Sequence, residues 1–266
     1  MQLCSIASGS SGNCIYVGSD TTHLLVDTGI SKKRTEEGLR QIGMSLQDMD
    51  GILITHEHSD HICGLGVISR KYHIPIYATQ NTIRAILSSS SIGKVEEELF
   101  HPIKADESFV IKDIKCNPMH TSHDAVDPVA YRFKSGKKQV AIATDLGTYN
   151  DYTVECLKGM DAVLLEANHD VHMLQVGPYP YPLKRRILGE RGHLSNELSG
   201  QLLSQILHDD LQAVVLGHLS KENNLPELAY ETVRLEINMA DNSYKADDFP
   251  IHVARRSCPS ELIKVV

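Results

Sequence analysis

The amino-acid sequence predicts an α/β (α+β) fold, a four-layer αββα sandwich in which two β-sheets pack face to face and helices cover the outer faces. The first third of the chain alternates short apolar strands with helices, the middle, about 107–143, follows a strand pattern, and the last third alternates again. Two such halves fit two packed sheets, because each sheet has to bury its apolar face against another layer.

Apolar runs, turn residues and capping residues mark the elements of the first third. Ser31 is placed to cap a helix, and the run from Gly51 to Thr55 is typical of a buried parallel strand bounded by a turn. A polar segment follows that strand, and Ser59 or Asp60 is a candidate cap for the next helix. The predicted strands are 3–6, 14–17, 22–26, 51–55 and 74–78, and the predicted helices are 31–42, 60–72 and 80–87.

The middle and the last third complete the two halves. No linker, low-complexity tract or repeat interrupts the chain, so residues 1–266 are expected to form one domain without an inserted capping domain. The predicted strands are 109–111, 114–119, 129–133, 139–143, 162–166, 213–216 and 251–254, and the predicted helices lie near 180–189, 195–208 and 225–239.

Composition limits the classes of function. With 266 residues, 41% of them hydrophobic, the chain has enough apolar side chains for a large core. It contains no apolar run of the roughly 20 residues that span a bilayer, and its start lacks a signal-peptide pattern. Its cysteines are scattered without a CxxC pair. We therefore expect a cytoplasmic protein with reduced thiols and no membrane partner.

Charge and aromatic content give no global support for a polyanionic partner. The net charge is −8, and the basic clusters at 184–186 with Arg191 and at 255–256 are local. The absence of Trp and the presence of only four Phe argue against an aromatic platform that stacks single-stranded bases. No protein partner can be deduced from these features.

The most informative stretch directly follows the predicted strand 51–55. His56, His58, Asp60 and His61 bring three imidazoles and one carboxylate together. Residues at this spacing do not follow one helical stripe, so they are expected to fan out from a turn at the end of the strand. Imidazole and carboxylate together suit zinc, manganese or iron, and helix capping alone gives no reason for three histidines. The stretch therefore predicts a two-metal site.

Further candidate ligands also follow predicted strands. Asp145 comes after the strand 139–143 and is expected to bridge two cations, and His218 comes after the strand 213–216. Both His120 and His123 follow the strand 114–119 as candidates. Strand alternation does not decide which of the two points inward.

Together these motifs are similar to those of the metallo-β-lactamase superfamily. The stretch His56-x-His58-x-Asp60-His61 resembles the second motif of that family, and the segment 27–29 resembles the first. The resemblance implies an αββα sandwich with metals at one edge between the sheets, and it implies that Asp27 supports ligands instead of binding metal. The residues that match the third, fourth and fifth motifs are His123, Asp145 and His218.

A more specific resemblance concerns Glu166 and His193. Segments 164–167, 191–195 and 216–220 resemble the Glu-Ala-Thr, Gly-His-Ser-Thr and His-Phe-Ser segments of ribonuclease Z-type phosphodiesterases. This implies that Glu166 raises the pKa of His193, which then protonates the leaving oxygen. Several segments, among them 7–13, 166–170 and 218–224, are most similar to the YycJ/WalJ group of bacterial DNA exonucleases. That similarity implies 5′-to-3′ exonuclease activity on a DNA end.

The resemblance also implies cofactors and contacts. Two divalent metal ions are expected, Mn²⁺ or Zn²⁺ with iron as a further choice, and Asp60 is expected to accept the proton of the attacking water. The loop 8–13 is equally compatible with a phosphate-binding nest and with a plain hairpin turn. The first metal is assigned to His56, His58 and His123 and the second to Asp60, His61 and His218, with Asp145 bridging; the candidate substrate contacts are Ser11, Asn13, Ser195, Asn196, Lys221, Asn223 and Asn224.

Two other functions stay open from the sequence. A hydrolase of small molecules, such as a lactone, thioester or cyclic nucleotide, would share the fold, but the Glu166–His193 pair favours an alkoxide leaving group that needs a proton. A regulatory partner of a cell-wall two-component system would carry a decayed site, whereas every expected ligand is present. The lack of room for a capping domain indicates an open site, which suits a strand end.

Overall fold

The computed structural model describes residues 1–266 and contains two seven-stranded β-sheets, with strands numbered in chain order. In spatial order, the first sheet consists of β14 (Ile263–Lys264), β1 (Gln2–Ala7), β2 (Cys14–Gly18), β3 (His23–Val26), β4 (Gly51–Leu53), β5 (Ile76–Thr79) and β6 (Phe100–Ile103). In spatial order, the second sheet consists of β13 (Ile251–Val253), β12 (Ala213–Gly217), β11 (Ala162–Glu166), β10 (Lys138–Ala143), β9 (Val129–Ser135), β8 (Ile114–His120) and β7 (Phe109–Ile111).

Each sheet combines an antiparallel and a parallel part. Strands β3 to β6 are parallel in the first sheet, and β10 to β13 are parallel in the second. The remaining neighbours pair antiparallel. Ligand sites in such sheets lie outside the carboxyl ends of parallel strands. Segments that follow β4, β10, β11 and β12 therefore become candidates for one common site.

Apolar side chains form three layers of core. The central layer joins Leu24 and Leu53 of the first sheet to Tyr131, Val140 and Leu164 of the second. A second cluster lies between the first sheet and its helices, and a third lies between the second sheet and its helices. Burial on both faces explains why the parallel strands are nearly all apolar. The predicted four-layer αββα sandwich is confirmed.

Nine helices cover the outer faces, and none of them is long and apolar enough to span a membrane. The Ser31 hydroxyl accepts from the Arg34 N–H at the start of α1, so this predicted cap is confirmed. The helices are α1 (Lys32–Gln41), α2 (Ser59–Ile62), α3 (Leu65–Tyr72), α4 (Gln80–Ser88), α5 (Asp151–Leu157), α6 (Val171–Val176), α7 (Tyr181–Leu188), α8 (Asn196–Ile206) and α9 (Pro226–Met239).

The predicted helix 60–72 is wrong in one respect, because the structure divides it into α2 and α3. The chain passes so close to a neighbouring loop at Gly64 that a Cβ atom there would lie 2.2 Å from the Ile30 carbonyl oxygen. The predicted cap is also wrong: His58 precedes α2, and neither Ser59 nor Asp60 caps it. Asp60 is thereby left free to face the site.

Four short elements were not predicted: β6, β14, α5 and α6. Strand β6 contains a proline and two exposed residues, and β14 contains only two residues. Both lie at the edges of the first sheet. Edge strands have little apolar periodicity, because part of their surface is not packed against a layer. The helices α5 and α6, with seven and six residues, are too short to show a periodic apolar pattern.

Candidate metal centre

Three histidines form the first group of candidate ligands. His56 and His58 follow β4, and His123 follows β8. The ligand nitrogens of these residues lie within 4.8 Å of one another, and His58 Nδ1 is 3.3 Å from His123 Nε2. The other ring nitrogen of His123, Nδ1, lies 3.0 Å from the carbonyl oxygen of Gly192. That contact orients the His123 ring so that Nε2 faces the group.

A second group contains Asp60, His61 and His218, whose ligand atoms also lie within 4.8 Å of one another. Asp145 lies between the two groups. Its Oδ2 atom is 3.4 Å from His61 Nε2 and 3.5 Å from His218 Nδ1, whereas Oδ1 is 3.7 Å from His123 Nε2. One carboxylate therefore contacts ligands of both groups.

Buried atoms without hydrogen-bond partners test whether this cluster fits metal. His56 Nε2, His218 Nδ1 and Asp145 Oδ2 are buried, and none has a hydrogen-bond partner. Leaving such atoms unpaired costs about 1–3 kcal/mol each, unless something else binds them. Imidazole and carboxylate together are a donor set for zinc, manganese or iron. The residues present fit a metal centre with room for more than one cation.

The charged groups of the cluster shift one another's pKa values. Burial disfavours the charged form of His61, but Asp145, Asp27 and Asp60 outweigh it and raise its pKa to about 10. Burial also opposes ionisation of Asp145, yet the neighbouring histidines, first His218 and then His61, hold its pKa well below the usual range. Burial lowers the pKa of His56 well below its usual value. Positive charge is thus drawn to the carboxylates, where a bound cation would replace protons.

Asp27 contacts His61 of the second group on the side of the ring that faces away from the other ligands. Its Oδ2 atom lies 2.7 Å from His61 Nδ1 and accepts from the Thr55 hydroxyl at 2.8 Å, while Oδ1 accepts from the Thr55 N–H at 2.9 Å. A carboxylate at Nδ1 favours the tautomer in which Nε2 of His61 is free to bind metal. Asn13 Nδ2 lies 3.1 Å from that Nε2 atom.

Three residues at the site have left-handed backbone conformations. The φ angles are 61° at Asp27, 59° at Asp145 and 55° at His218. Only a few per cent of residues other than glycine adopt this region, although aspartate and histidine enter it more readily than most. At each of these three strand ends, the left-handed conformation turns the chain sharply at the edge of the sandwich. Such strain is concentrated at functional sites.

Glu166 and His193 form a pair beside Asp145. Glu166 ends β11 and is fully buried, and its Oε1 atom lies 2.7 Å from His193 Nδ1. Its Oε2 atom accepts from the N–H groups of Leu146 and Leu194 at 2.8 and 3.2 Å. Burial disfavours the imidazolium of His193, but the charge of Glu166 and the hydrogen bond to it raise the pKa of His193 to about 9. His193 is therefore held in the protonated form that can act as an acid.

Of the two candidate histidines His120, the last residue of β8, and His123, only His123 joins the cluster. His120 is exposed, and its Nε2 atom lies 3.7 Å from Asp106 Oδ2, outside the group. Side chains alternate along a strand, but both histidines lie at or beyond its end, where alternation no longer applies. Tertiary structure was needed to choose between them.

Candidate substrate contacts are spread around the site with different environments. Ser11 and Lys221 are exposed, whereas Asn13 is buried and accepts from the Gly9 N–H at 3.0 Å. Ser195 caps α8. The remaining three are buried and bonded within the chain: Asn196 and Asn224 bond each other, and Asn223 Nδ2 donates to the Ser220 hydroxyl. Their role as substrate contacts stays a prediction.

Asp124 and Arg186 belong to the same neighbourhood but were not assigned a role from the sequence. Asp124 Oδ1 lies 3.5 Å from His123 Nε2, and both Asp124 oxygens accept from the guanidinium of Arg186. Arg191 donates to the carbonyl oxygen of His123 at 2.9 Å. The only sequence signal was the local basic cluster at 184–191, which a solvated helix face would also produce.

Comparisons with known proteins identify the family and the relatives of the chain. The family described as the Beta-lactamase superfamily domain matches residues 22–218. Exodeoxyribonuclease YycJ of Bacillus anthracis is 41% identical over 236 residues, 86% of each chain. Exodeoxyribonuclease WalJ of Streptococcus pneumoniae is 42% identical over 236 residues, 89% of this chain and 88% of WalJ.

A similar fold is found in a solved structure of low sequence identity. The crystal structure of Zn²⁺-bound PqqB from Methylobacterium extorquens superposes with a TM-score of 0.73, covers 98% of this chain and 100% of PqqB, and is 15% identical. At that identity the likeness concerns the fold alone.

Proposed function

Because the chain belongs to the metallo-β-lactamase superfamily, we propose that it is a metal-dependent phosphodiester hydrolase, specifically an exonuclease that degrades DNA from a 5′ end. The observation that carries the proposal is the Glu166–His193 pair, 2.7 Å apart, beside the histidine and aspartate cluster. Identity of 41–42% over most of the chain to proteins named exodeoxyribonucleases supports DNA as the substrate.

Two divalent cations are the proposed cofactors. Asp145 would bridge them, since its two oxygens face ligands of both groups. When bound, such cations lower the pKa of water and absorb negative charge that develops on a phosphoryl group. Zn²⁺, Mn²⁺ or iron would suit the mixed ligands. The proposed first ligand set is His56, His58 and His123, and the second is Asp60, His61 and His218.

The protein's own acid and base are Glu166, His193 and Asp60. His193 is kept protonated by Glu166 and would donate its proton to the leaving oxygen of the scissile bond. Asp60, a partly exposed carboxylate 3.6 Å from His61 Nε2, would accept the proton of the attacking water. A leaving sugar hydroxylate is a strong base, so the reaction profits from an acid at this position.

Exposed groups at the rim are proposed to guide the DNA end. Ser11 lies in the loop 8–13, which reaches the cluster through Asn13 and through Ser8, whose hydroxyl accepts from the His218 N–H at 2.8 Å. Lys221 is the exposed cation that follows His218. We propose these residues as contacts to phosphate or sugar. The six free cysteines support a cytoplasmic location for the enzyme.

The test is a nuclease assay with double-stranded DNA in the presence of Mn²⁺. One strand is labelled at its 5′ end or at its 3′ end, with and without a 5′ phosphate. The proposal expects the 5′ label to appear in mononucleotides at once, while the 3′-labelled strand shortens progressively. Asp145→Ala protein purified in parallel controls for contaminating nucleases. Hydrolysis of small esters without any DNA degradation would instead support a small-molecule hydrolase.

A further inference from the structure

The guanidinium of Arg186 lies beside two of the candidate ligands and has no role in the proposed chemistry. Arg186 on α7 donates through Nε and Nη2 to the two oxygens of Asp124 at 2.5 and 2.9 Å. Asp124 Oδ1 in turn lies 3.5 Å from His123 Nε2 and 3.9 Å from His58 Nε2. Resting on the proposed nuclease function, we propose that Arg186 binds a phosphate of the DNA backbone next to the scissile phosphate.

The contact with Asp124 fixes the guanidinium without exhausting its donors. A bidentate pair holds the guanidinium plane, because two parallel hydrogen bonds define it. Pairing through Nε and Nη2 leaves both N–H groups of Nη1 and one of Nη2 directed away from Asp124. No acceptor of the chain bonds Nη1, and the Arg186 side chain is 48% exposed. Three donors of this half-exposed side chain thus have no partner in the chain.

The other basic residues of the segment 184–191 either bond to backbone carbonyl oxygens or contact no candidate ligand. Lys184 donates to two backbone carbonyl oxygens at the end of α6, and Arg191 donates to the carbonyl oxygen of His123. Both therefore hold the backbone. Arg185 is exposed and forms no ion pair. Among these four cations, only Arg186 is joined to the candidate ligands through a carboxylate.

The negative charge around the site explains why a DNA strand, with several phosphates, would need Arg186. Cations bound by the histidine and aspartate ligands would receive the scissile phosphate, but the next phosphate of a strand would approach Asp124 and Asp60 on a chain of net charge −8. Arg186 offsets that repulsion and offers planar donors that match phosphate oxygens. A phosphodiester with a single phosphate lacks the second group, so it gains less from Arg186. The arginine is thus a determinant of polymer over monomer substrates.

The first test compares two adjacent arginines on the same helix. Arg186→Ala and Arg185→Ala are assayed with Mn²⁺ on an oligonucleotide and on bis(4-nitrophenyl) phosphate. For Arg186→Ala, KM on the oligonucleotide should rise about tenfold more than KM on the ester, the usual worth of a charged hydrogen bond. Arg185→Ala should match the wild-type protein on both substrates. Both variants lose one positive charge, so a difference between their KM values measures the direct contact of Arg186 with phosphate and not long-range electrostatics.

The second test measures binding without turnover. A fluorescent oligonucleotide is titrated with metal-free protein in EDTA at several salt concentrations. Loss of one phosphate contact should reduce the slope of log affinity against log salt by about 0.7–0.9 for Arg186→Ala. Arg186→Lys keeps the charge and should retain the slope with weaker affinity. Arg186→Gln serves if the alanine variant fails to fold.

Two results would overturn the role of Arg186: equal losses for Arg185→Ala and Arg186→Ala, or an unchanged salt slope in Arg186→Ala while the wild-type protein degrades DNA. Failure of the proposed function has a different signature. In that case the wild-type protein would hydrolyse the ester but neither bind nor degrade the oligonucleotide, and the role of Arg186 would be lost with it.

Discussion

In the first sheet the candidate ligands follow one strand, β4, within six residues. In the second sheet the site residues come from separate strands: Asp145 and His218 follow β10 and β12, Glu166 ends β11 between them, and His123 follows β8. His56 to His61 are therefore positioned by the local turn and by the carboxylate of Asp27. Asp145, Glu166 and His218 are positioned by strand pairing, in which Leu165 pairs with Ala143 and with Leu216. Spacing between strands, about 4.8 Å, then sets the spacing of these side chains.

This difference predicts unequal consequences of mutation. A residue of the second sheet is the only contribution of its strand, so nothing nearby replaces it. Ligands of the first sheet are supported together by a shared hydrogen-bond network around Thr55 and Asp27. Damage to that network should weaken several ligands moderately instead of removing one completely.

Asp145→Ala should have the largest effect. Because this carboxylate contacts ligands of both groups, its loss should lower metal content at both and reduce turnover by about 10⁴-fold or more. Elemental analysis, DNA turnover and circular dichroism measure metal, activity and fold. Asp151→Ala, an exposed aspartate at the start of α5, is the matched control. If Asp145→Ala kept wild-type turnover, Asp145 would be only a turn residue, and the two ligand groups would not depend on a shared carboxylate.

His193→Ala should cost about 10²–10⁴ in turnover on DNA, the usual worth of an acid–base group. Metal content should stay the same, because His193 lies outside the proposed ligand sets. The loss should shrink on a nitrophenyl phosphodiester, whose leaving oxygen needs no proton. His120→Ala, in an exposed histidine, is the control. Equal losses on both substrates, or a loss of metal, would remove His193 from the acid role.

The pH dependence of the rate in Glu166→Gln tests the assignment of His193 as the acid. Burial favours neutral His193, but the charge of Glu166 raises its pKa to about 9, so the acid stays protonated up to roughly that pH. Without this charge the pKa falls, and the alkaline limb of the rate profile on DNA should move to lower pH. The nitrophenyl substrate should show a smaller shift. A limb that does not move would mean that Glu166 only holds the backbone N–H groups of Leu146 and Leu194.

Asp27→Asn should have the smallest effect of these four substitutions. It keeps the shape of the side chain but removes the charge that orients His61 and bonds Thr55. Replacement of such a supporting group costs about 10–100-fold in metal affinity, which competition with a chelator measures. Asp113→Asn is the control, since this carboxylate also accepts several hydroxyl bonds but lies at the far end of β8. Equal loss of affinity in the control would point to global destabilisation.

The sequence predicted the half of the site that is local. The strand, the turn and the histidine spacing of residues 51–61 are adjacent in the chain, so their joint position follows from backbone geometry. The division of the predicted helix between Ile62 and Leu65 was missed, because the Gly64 N–H donates to the carbonyl oxygen of Thr28 at 2.8 Å and not to a carbonyl of α2. Such a long-range contact leaves no trace in local periodicity.

The sequence alone determined the alternation of strands and helices and the cap at Ser31, because burial pattern and capping chemistry act over a few residues. It also determined that Asp145, Glu166 and His218 lie at strand ends. Tertiary structure alone decided that His123 and not His120 joins the cluster and that Asp124 holds Arg186 at its rim. These choices depend on the order and register of strands far apart in the chain, and the free energy of packing two sheets fixes that order.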